Sequence, residues 1–232
     1  MRNLLYNCVM KDKIKAVVFD IDGTLYSDFP FYFRVSFHVL RNLRFFLHYS
    51  KTRKIMHTKA PLADYFEYQA RVLASLMHIS VRRAKALIDV IVYKGFRPYF
   101  KKIKPYPNVL ETFKSLKDAG YKVGILSDLP PEQKGELWGL PQYCDVILGS
   151  EKIGALKPSI YPFGVVSMTL DVPLEEILYV GNSVKSDIRG AKNAGMFAAY
   201  KLPWWRALLK KPLKEADFSF SKYKQLQELL LP

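Results

Sequence analysis

The sequence predicts an α/β domain built on a parallel sheet, with a block of helices inserted after its first strand. Three observations carry that expectation. From Pro105 onward, short apolar runs alternate with helix-periodic stretches, the pattern of parallel strands joined by crossover helices. A run of the same kind, Val17-Val18-Phe19, stands alone near the N-terminus. Between them, from Asp28 to Lys104, apolar residues recur mostly at intervals of three and four and no glycine occurs before Gly95, so this stretch reads as helices.

The first run is β-branched and aromatic without polar interruption, which suits a strand buried on both faces. It ends in "DIDGT". Ligands of open α/β sheets bind outside the carboxyl ends of the strands, so Asp20 and Asp22 stand where chemistry is expected, and Gly23 permits the tight turn that follows. A strand end followed by a solvated turn would also explain that one motif. In the insert, Phe33, Phe37, Leu40, Leu43 and Leu47 form one face of a first helix, with Arg34, His38, Arg41 and His48 on another. Ser80 is placed to cap a later helix that runs to Lys94 and ends at Gly95. Beyond Pro105, "NVLETFKSLKDAG" sets Val109, Leu110, Phe113 and Leu116 at helical spacing and stops at Gly120. Strands follow at "YKVGIL", "DVILGS", "EILYVGN", "MFAAYK" and "ADFSF", which with the first run makes six.

Half of the 232 residues are hydrophobic, enough to bury a real core, so the chain is globular rather than disordered. Cys8 and Cys144 lie far apart in no metal-ligand spacing, which argues against a disulfide framework or a zinc site and for a reducing compartment. The N-terminal "MRNLLYNCVMKDK" is too short and too polar for a secretory signal, and no apolar run reaches membrane-spanning length. A cytoplasmic protein is expected. The formal charge of +15 is concentrated: residues 28–104 carry 16 Lys or Arg against four acids, a surplus of +12, together with all four histidines.

Four strand ends carry reactive groups in order: Asp20-x-Asp22-Gly23-Thr24, Ser127 after "VGIL", Lys157 in "GALKPS", and Asn182 with Asp187 in "GNSVKSD" after "ILYV". Singly, each is explained by a turn, a cap or a solvated side chain. Together, through "DIDGTLYSD", "GYKVGILSD", "GALKPSIYPFG" and "YVGNSVKSDIRGAKNAGM", the chain resembles the haloacid dehalogenase-like hydrolase superfamily over residues 15–28 and about 106–200. The resemblance implies a Rossmann-like core with helices on both faces of the sheet, residues 1–27 and 105–232, and an inserted all-helical cap domain, residues 28–104.

The resemblance also implies roles. Asp20 is the expected nucleophile, forming an aspartyl-phosphate. Mg²⁺ is the expected cofactor, held by Asp20, the backbone carbonyl of Asp22, Asp187 and Asn182. Lys157 would add fixed positive charge around the transferring phosphoryl group, and Ser127 and Thr24 would hydrogen-bond to its oxygens. Asp22 would protonate the leaving oxygen and then deprotonate water. True dehalogenases of the family lack an aspartate there, so Asp22 points to a phosphatase. Two positions depart from the family pattern. Asn182 stands where Asp is more frequent and removes one negative charge from the expected metal site. Asp128 stands where Asn is frequent, and is expected either to restore that charge or, with Gly23, to contact substrate.

A basic insert closing over the site would attract an anionic substrate, so the expected partner is a small phosphorylated metabolite. No nucleic-acid motif accompanies the charge, and nucleic acid is not expected. Aromatic and basic residues mix in "FPFYFRVSFHVLRNLRFFLHYSKTRK" and in "KLPWWRALLKKPLK", where Trp204, Trp205, Leu208 and Leu209 sit among five Lys or Arg. That composition suits a membrane headgroup region, although packing of cap on core or helix on sheet is the preferred explanation. A Mg²⁺-dependent phosphomonoesterase is the favoured expectation. Its rivals are a non-catalytic interaction protein with a basic docking surface, and a mutase that transfers the phosphoryl group with water excluded.

Overall fold

In the strands, alternate residues point to opposite faces, and both faces are covered. The computed structural model describes residues 11–59 and 61–231, so Cys8 and most of the N-terminal stretch fall outside the described residues. Six strands form one sheet: β1 (Ala16–Phe19), β2 (Lys122–Ser127), β3 (Val146–Gly149), β4 (Ile177–Gly181), β5 (Phe197–Lys201) and β6 (Phe218–Phe220). Every pairing is parallel, and the order is β3-β2-β1-β4-β5-β6. This is the doubly wound Rossmann-like arrangement, whose strand order reverses at β1, between β2 and β4. All six strands expected from the sequence are present.

Val17, Phe19, Val123, Ile125, Leu178 and Val180 face one apolar layer, shared with helices α6 (Val109–Asp118) and α11 (Tyr223–Leu230). Ala16, Val18, Leu126, Ile177 and Tyr179 face the other, against Phe163, Val166 and Leu170 of the helix Ile160–Leu170. Phe19 stacks on Phe113 with ring centroids 4.4 Å apart. In the helix Val109–Asp118 the inward residues are Val109, Thr112, Phe113 and Leu116, whereas Leu110 is exposed.

Between β1 and β2 the chain forms α1 (Asp28–Arg41), α2 (Leu43–Met56), α3 (Tyr65–Met77), α4 (Val81–Leu87) and the short α5 (Arg97–Phe100). The Asp64 side chain accepts the Glu67 N–H at 2.9 Å and that of Ser80 accepts the Arg83 N–H at 3.3 Å, capping α3 and α4. The helix begun by Ser80 does reach Lys94, but its second half, Ile88–Lys94, is π-helical. Residues of α2, α3 and α4 with Ile88, Ile91 and Val92 pack around an apolar centre of their own. The two strands of chain that lead out of and back into the core run side by side: Tyr26 bridges Pro105, and the Tyr106 N–H donates to Leu25 O at 2.8 Å. Adjacent ends explain how such a block fits between β1 and β2 without disturbing the sheet.

The first cap helix departs from the expectation. It breaks at Asn42, and its inward residues are Phe31 and Val35, not Phe33, Phe37 and Leu40. Phe31 stacks on Phe100 at 4.5 Å and meets Phe96 edge-on. The face expected to pack is the face left outside. This segment is apolar on both sides, so periodicity defines two candidate faces and only tertiary contact chooses between them.

The remaining helices of the core are α6 and, after β3, α7 (Ser150–Ile153), α8 (Ile160–Leu170), α9 (Arg189–Ala194), α10 (Trp204–Leu208) and α11. None of the described helices is long and apolar enough to cross a membrane.

Candidate active site

The carboxyl ends of β1, β2 and β4 converge at the switch point, and the sequence motifs sit on them. Asp20 follows β1 directly, and its N–H still pairs with Val180 O of β4 at 2.9 Å. Gly23 then turns the chain at φ +77°, where a Cβ would fall 2.0 Å from Asn182 Nδ2. Glycine is therefore required twice over, by backbone angle and by space. At the end of β4 the same logic holds for Gly181, because a Cβ there would lie 2.3 Å from that of Asp187. The missing side chain lets the motif fold back so that Asp187 faces Asp20.

Lys157 joins them. Its ammonium donates to Asp20 Oδ1 at 2.8 Å, to Asp187 Oδ1 at 2.7 Å and to the Tyr179 hydroxyl at 2.8 Å, all in a buried setting. Burial works against the lysine charge, yet Asp187 and Asp20 outweigh it and hold the pKa well above the ordinary lysine value. Asp20 shows the other side of that sharing. Burial, opposed by Lys157 but reinforced by Asp187 and Asp22, pushes its carboxyl up to about 8. One ammonium serves two carboxylates here.

The other expected residues fall around this centre. Thr24 donates to Asp20 Oδ2 at 3.0 Å, and its hydroxyl lies 3.4 Å from Asn182 Oδ1. Asp187 Oδ2 accepts the backbone N–H groups of Asn182 at 3.1 Å and Ser183 at 2.9 Å, which fixes the turn. Ser127, fully buried, has its Oγ 3.5 Å from Asp22 Oδ2. Asp128 Oδ1 accepts the backbone N–H of Lys157 at 3.1 Å, so it positions the lysine segment, a contact not anticipated from its place in the sequence.

Four further residues went unnoticed in the sequence. Tyr26 donates to Asp22 Oδ1 at 2.5 Å, and burial together with Asp22 raises its phenol pKa. Lys134, its side chain buried, places its ammonium 3.0 Å from Asp22 Oδ2 and over the Phe100 ring at 5.0 Å. Tyr179 donates a hydrogen bond to Leu126 O at 2.9 Å while accepting one from Lys157. His57, from the cap, has Nδ1 2.7 Å from Lys157 O, and burial holds its imidazole pKa below the ordinary value against the pull of Asp128. Tyr26 stands four residues after Asp22, a spacing that could have been read as a contact across the turn. Lys134 in "PPEQKGE" carries no such signal and reads as a solvated loop lysine.

The donors can be tested against a hard divalent cation. Among the described residues no three His, Cys, Asp or Glu side chains stand together as a ready metal cage. The expected set needs only two carboxylates, a backbone carbonyl and an amide oxygen, all of the oxygen chemistry that suits Mg²⁺. Charge agrees with chemistry. The pKa of Asp20 is raised by burial first and then by the neighbouring Asp187 and Asp22 carboxylates, and a cation at that place would offset both. The residues present fit the group.

Comparison with known proteins gives a consistent picture. The family model for haloacid dehalogenase-like hydrolases matches residues 17–200. A glyceraldehyde 3-phosphate phosphatase of Methanopyrus kandleri is 30% identical over 190 residues, covering 79% of this chain and 82% of the relative. The pyrophosphatase PpaX of Halalkalibacterium halodurans is 27% identical, covering 81% and 83%. In structure, a HAD phosphatase from Thermococcus onnurineus aligns with a TM-score of 0.63 at 24% identity over 94% of this chain and 98% of its own. An L-2-haloacid dehalogenase from Xanthobacter autotrophicus aligns with a TM-score of 0.62 at 21% identity, with the same coverage of both chains. These two solved structures speak for the fold alone.

Proposed function

Because the chain belongs to the haloacid dehalogenase-like hydrolases and, by its kinship to named phosphatases, is a phosphatase, we propose that it is a Mg²⁺-dependent phosphomonoesterase that works through an aspartyl-phosphate on Asp20. The observation that carries the reading is the Lys157 ammonium seated between the Asp20 and Asp187 carboxylates at the sheet switch point, with Asp22 held beside them.

Asp20 attacks the phosphorus of the ester; the bond from phosphorus to the leaving oxygen breaks as the Asp20 oxygen bonds to phosphorus. Asp22 gives its proton to the leaving oxygen, and Tyr26 and Lys134 hold the carboxyl in one orientation for that transfer. In the second half, Asp22 takes a proton from water, whose oxygen bonds to phosphorus, and Asp20 departs as a free carboxylate. Lys157 keeps a fixed positive charge against the nucleophile throughout, while Thr24 and Ser127 offer hydroxyl donors. A bound Mg²⁺, held by Asp20, the Asp22 carbonyl, Asp187 and Asn182, would supply the charge neutralisation that lets a carboxylate approach a phosphate dianion. Asp22 favours ester hydrolysis over dehalogenation, since an alkoxide needs the proton that a halide does not.

The relatives' named substrates are small phosphates, and the basic cap suits such an anionic ester. The test is release of inorganic phosphate from a panel of small phosphomonoesters, with Mg²⁺ and with chelator, for the wild type and Asp20→Asn. Turnover that needs Mg²⁺ and Asp20 is expected. Turnover surviving in the chelator or in Asp20→Asn overturns the reading, and phosphate recovered on a second substrate rather than free would make the protein a mutase.

A further inference from the structure

Among the described residues, the outer face of α1 carries a run of large apolar side chains that the fold leaves open. Phe29, Phe33, Phe37 and Leu40 follow one another along the helix and are 76%, 75%, 74% and 66% exposed. Leu43 and Leu47 of α2 are exposed as well. A second apolar element meets the first. On α10 and the residue after it, Trp204, Leu208 and Leu209 are exposed too, and Trp204 lines one cleft of about 310 Å³ together with Phe29, Gly23, Asp28 and Lys201. The two surfaces therefore adjoin at the edge of the catalytic motifs. Apolar area on this scale marks an interaction site rather than ordinary surface.

Its charge says what covers it. From Phe29 to Ala63 there are seven Lys or Arg and no acid, and from Lys201 to Lys214 five and none. Arg34, Arg41, Arg44, Lys210 and Lys211 are exposed, and among the described residues none of them pairs with a carboxylate. Contact with a second copy through the same face would set these cations against themselves. Nucleic acid would answer the charge and leave the phenylalanine and leucine strip in water. An anionic bilayer answers both, taking rings and aliphatic chains at the level where headgroups meet acyl chains while Arg and Lys meet lipid phosphates.

We propose that the α1 face and the Trp204–Leu209 segment together dock this protein on anionic membrane surfaces. Docking would bring the edge of the catalytic motifs, at Gly23 and Asn182, beside the bilayer. The proposal does not depend on which ester is hydrolysed, and its test is independent of turnover.

The test is flotation of the purified full chain with vesicles of phosphatidylcholine alone, or with phosphatidylglycerol added, at low salt. Co-flotation with the anionic vesicles and not with the neutral ones is expected. Phe33→Ser with Phe37→Ser, and separately Leu208→Ser with Leu209→Ser, should each lower the bound fraction by about tenfold or more, since each removes two large apolar groups. All four residues are exposed, so the variants should keep wild-type thermal unfolding and phosphatase turnover on a soluble ester. Absence of flotation overturns the proposal, as does equal binding to neutral vesicles or undiminished binding by both variants. A wild-type dimer that the first variant dissolves, with no vesicle binding, would assign the face to a second copy instead.

Discussion

The core and the cap differ in where their apolar residues lie. In the core, two apolar layers enclose the sheet, and the buried Asp20, Lys157 and Asp187 gather at the carboxyl ends of its strands. Much of the cap is joined to that core through polar contacts. Arg53 of α2 pairs with the fully buried Glu151 and donates to Tyr65 at 2.8 Å, Tyr93 donates to Glu151 at 2.7 Å, and Gln133 donates to Val92 O at 2.6 Å. Meanwhile the cap turns an aromatic strip outward. The contrast teaches that apolar character alone does not locate an interior: Phe31, Val35, Met56 and Tyr65 pack against the core beside the directional contacts, whereas the outer strip of the same helices takes no part in that packing.

Variants that strike each region should separate these roles. The largest effect belongs to the strand ends, where Asp20→Asn is expected to lower turnover by about three orders of magnitude or more while the protein stays folded by circular dichroism. Phe113→Ala, in the apolar layer, should cost about 3–5 kcal/mol in chemical denaturation. At the cap junction, Glu151→Gln leaves the Arg53 guanidinium without its counter-charge and should cost roughly 3 kcal/mol, whereas Arg53→Met combined with Glu151→Leu should recover most of that loss. Additive losses in the double variant would show that the junction is not a coupled pair.

A smaller effect is expected from Lys201. Its ammonium lies 4.3 Å from the centre of the Tyr106 ring in the cleft it shares with Asp28, and burial lowers its pKa from the ordinary 10.5 to about 8. Between those values the unfolded chain keeps a proton that the folded chain has lost, so unfolding takes up a proton and rising pH favours the folded state. Lys201→Met removes this dependence. Relative to that variant, the wild type should gain about 1–2 kcal/mol between pH 7.5 and pH 9.5 in denaturant titrations; parallel curves would refute the assignment. Smallest of all, Phe37→Ser on the outer strip should change stability by less than about 0.5 kcal/mol, despite deleting a phenyl ring.

The sequence made the core legible because most of its strands are apolar runs and three of the four reactive motifs follow one directly, Lys157 alone standing a short helix beyond β3. Asp20, Thr24, Lys157, Asn182 and Asp187 were readable for the same reason: the topology that brings strand ends together needs no knowledge of side-chain packing. Lys134 and Tyr179 were hidden. One sits in a polar loop and the other inside an apolar strand, and each acquires its partner only when distant segments meet. The face of α1 was misread because Phe31 and Val35 on one side compete with Phe33 and Phe37 on the other, and local pattern cannot rank them. Asp128 was identified as a candidate, but its hold on the Lys157 backbone depends on a loop geometry that residue type does not encode.

The central claim is that Asp20 takes the phosphoryl group. Rapid quenching during turnover of p-nitrophenyl phosphate, whose leaving group departs without a proton, followed by borohydride reduction, would convert an acyl phosphate into homoserine at the residue that carried it. Peptide mass analysis is predicted to find homoserine at position 20, in larger amount in Asp22→Asn, where the deprotonation of water is lost. Homoserine at another aspartate, or none at position 20 in either protein while turnover proceeds, would contradict the account.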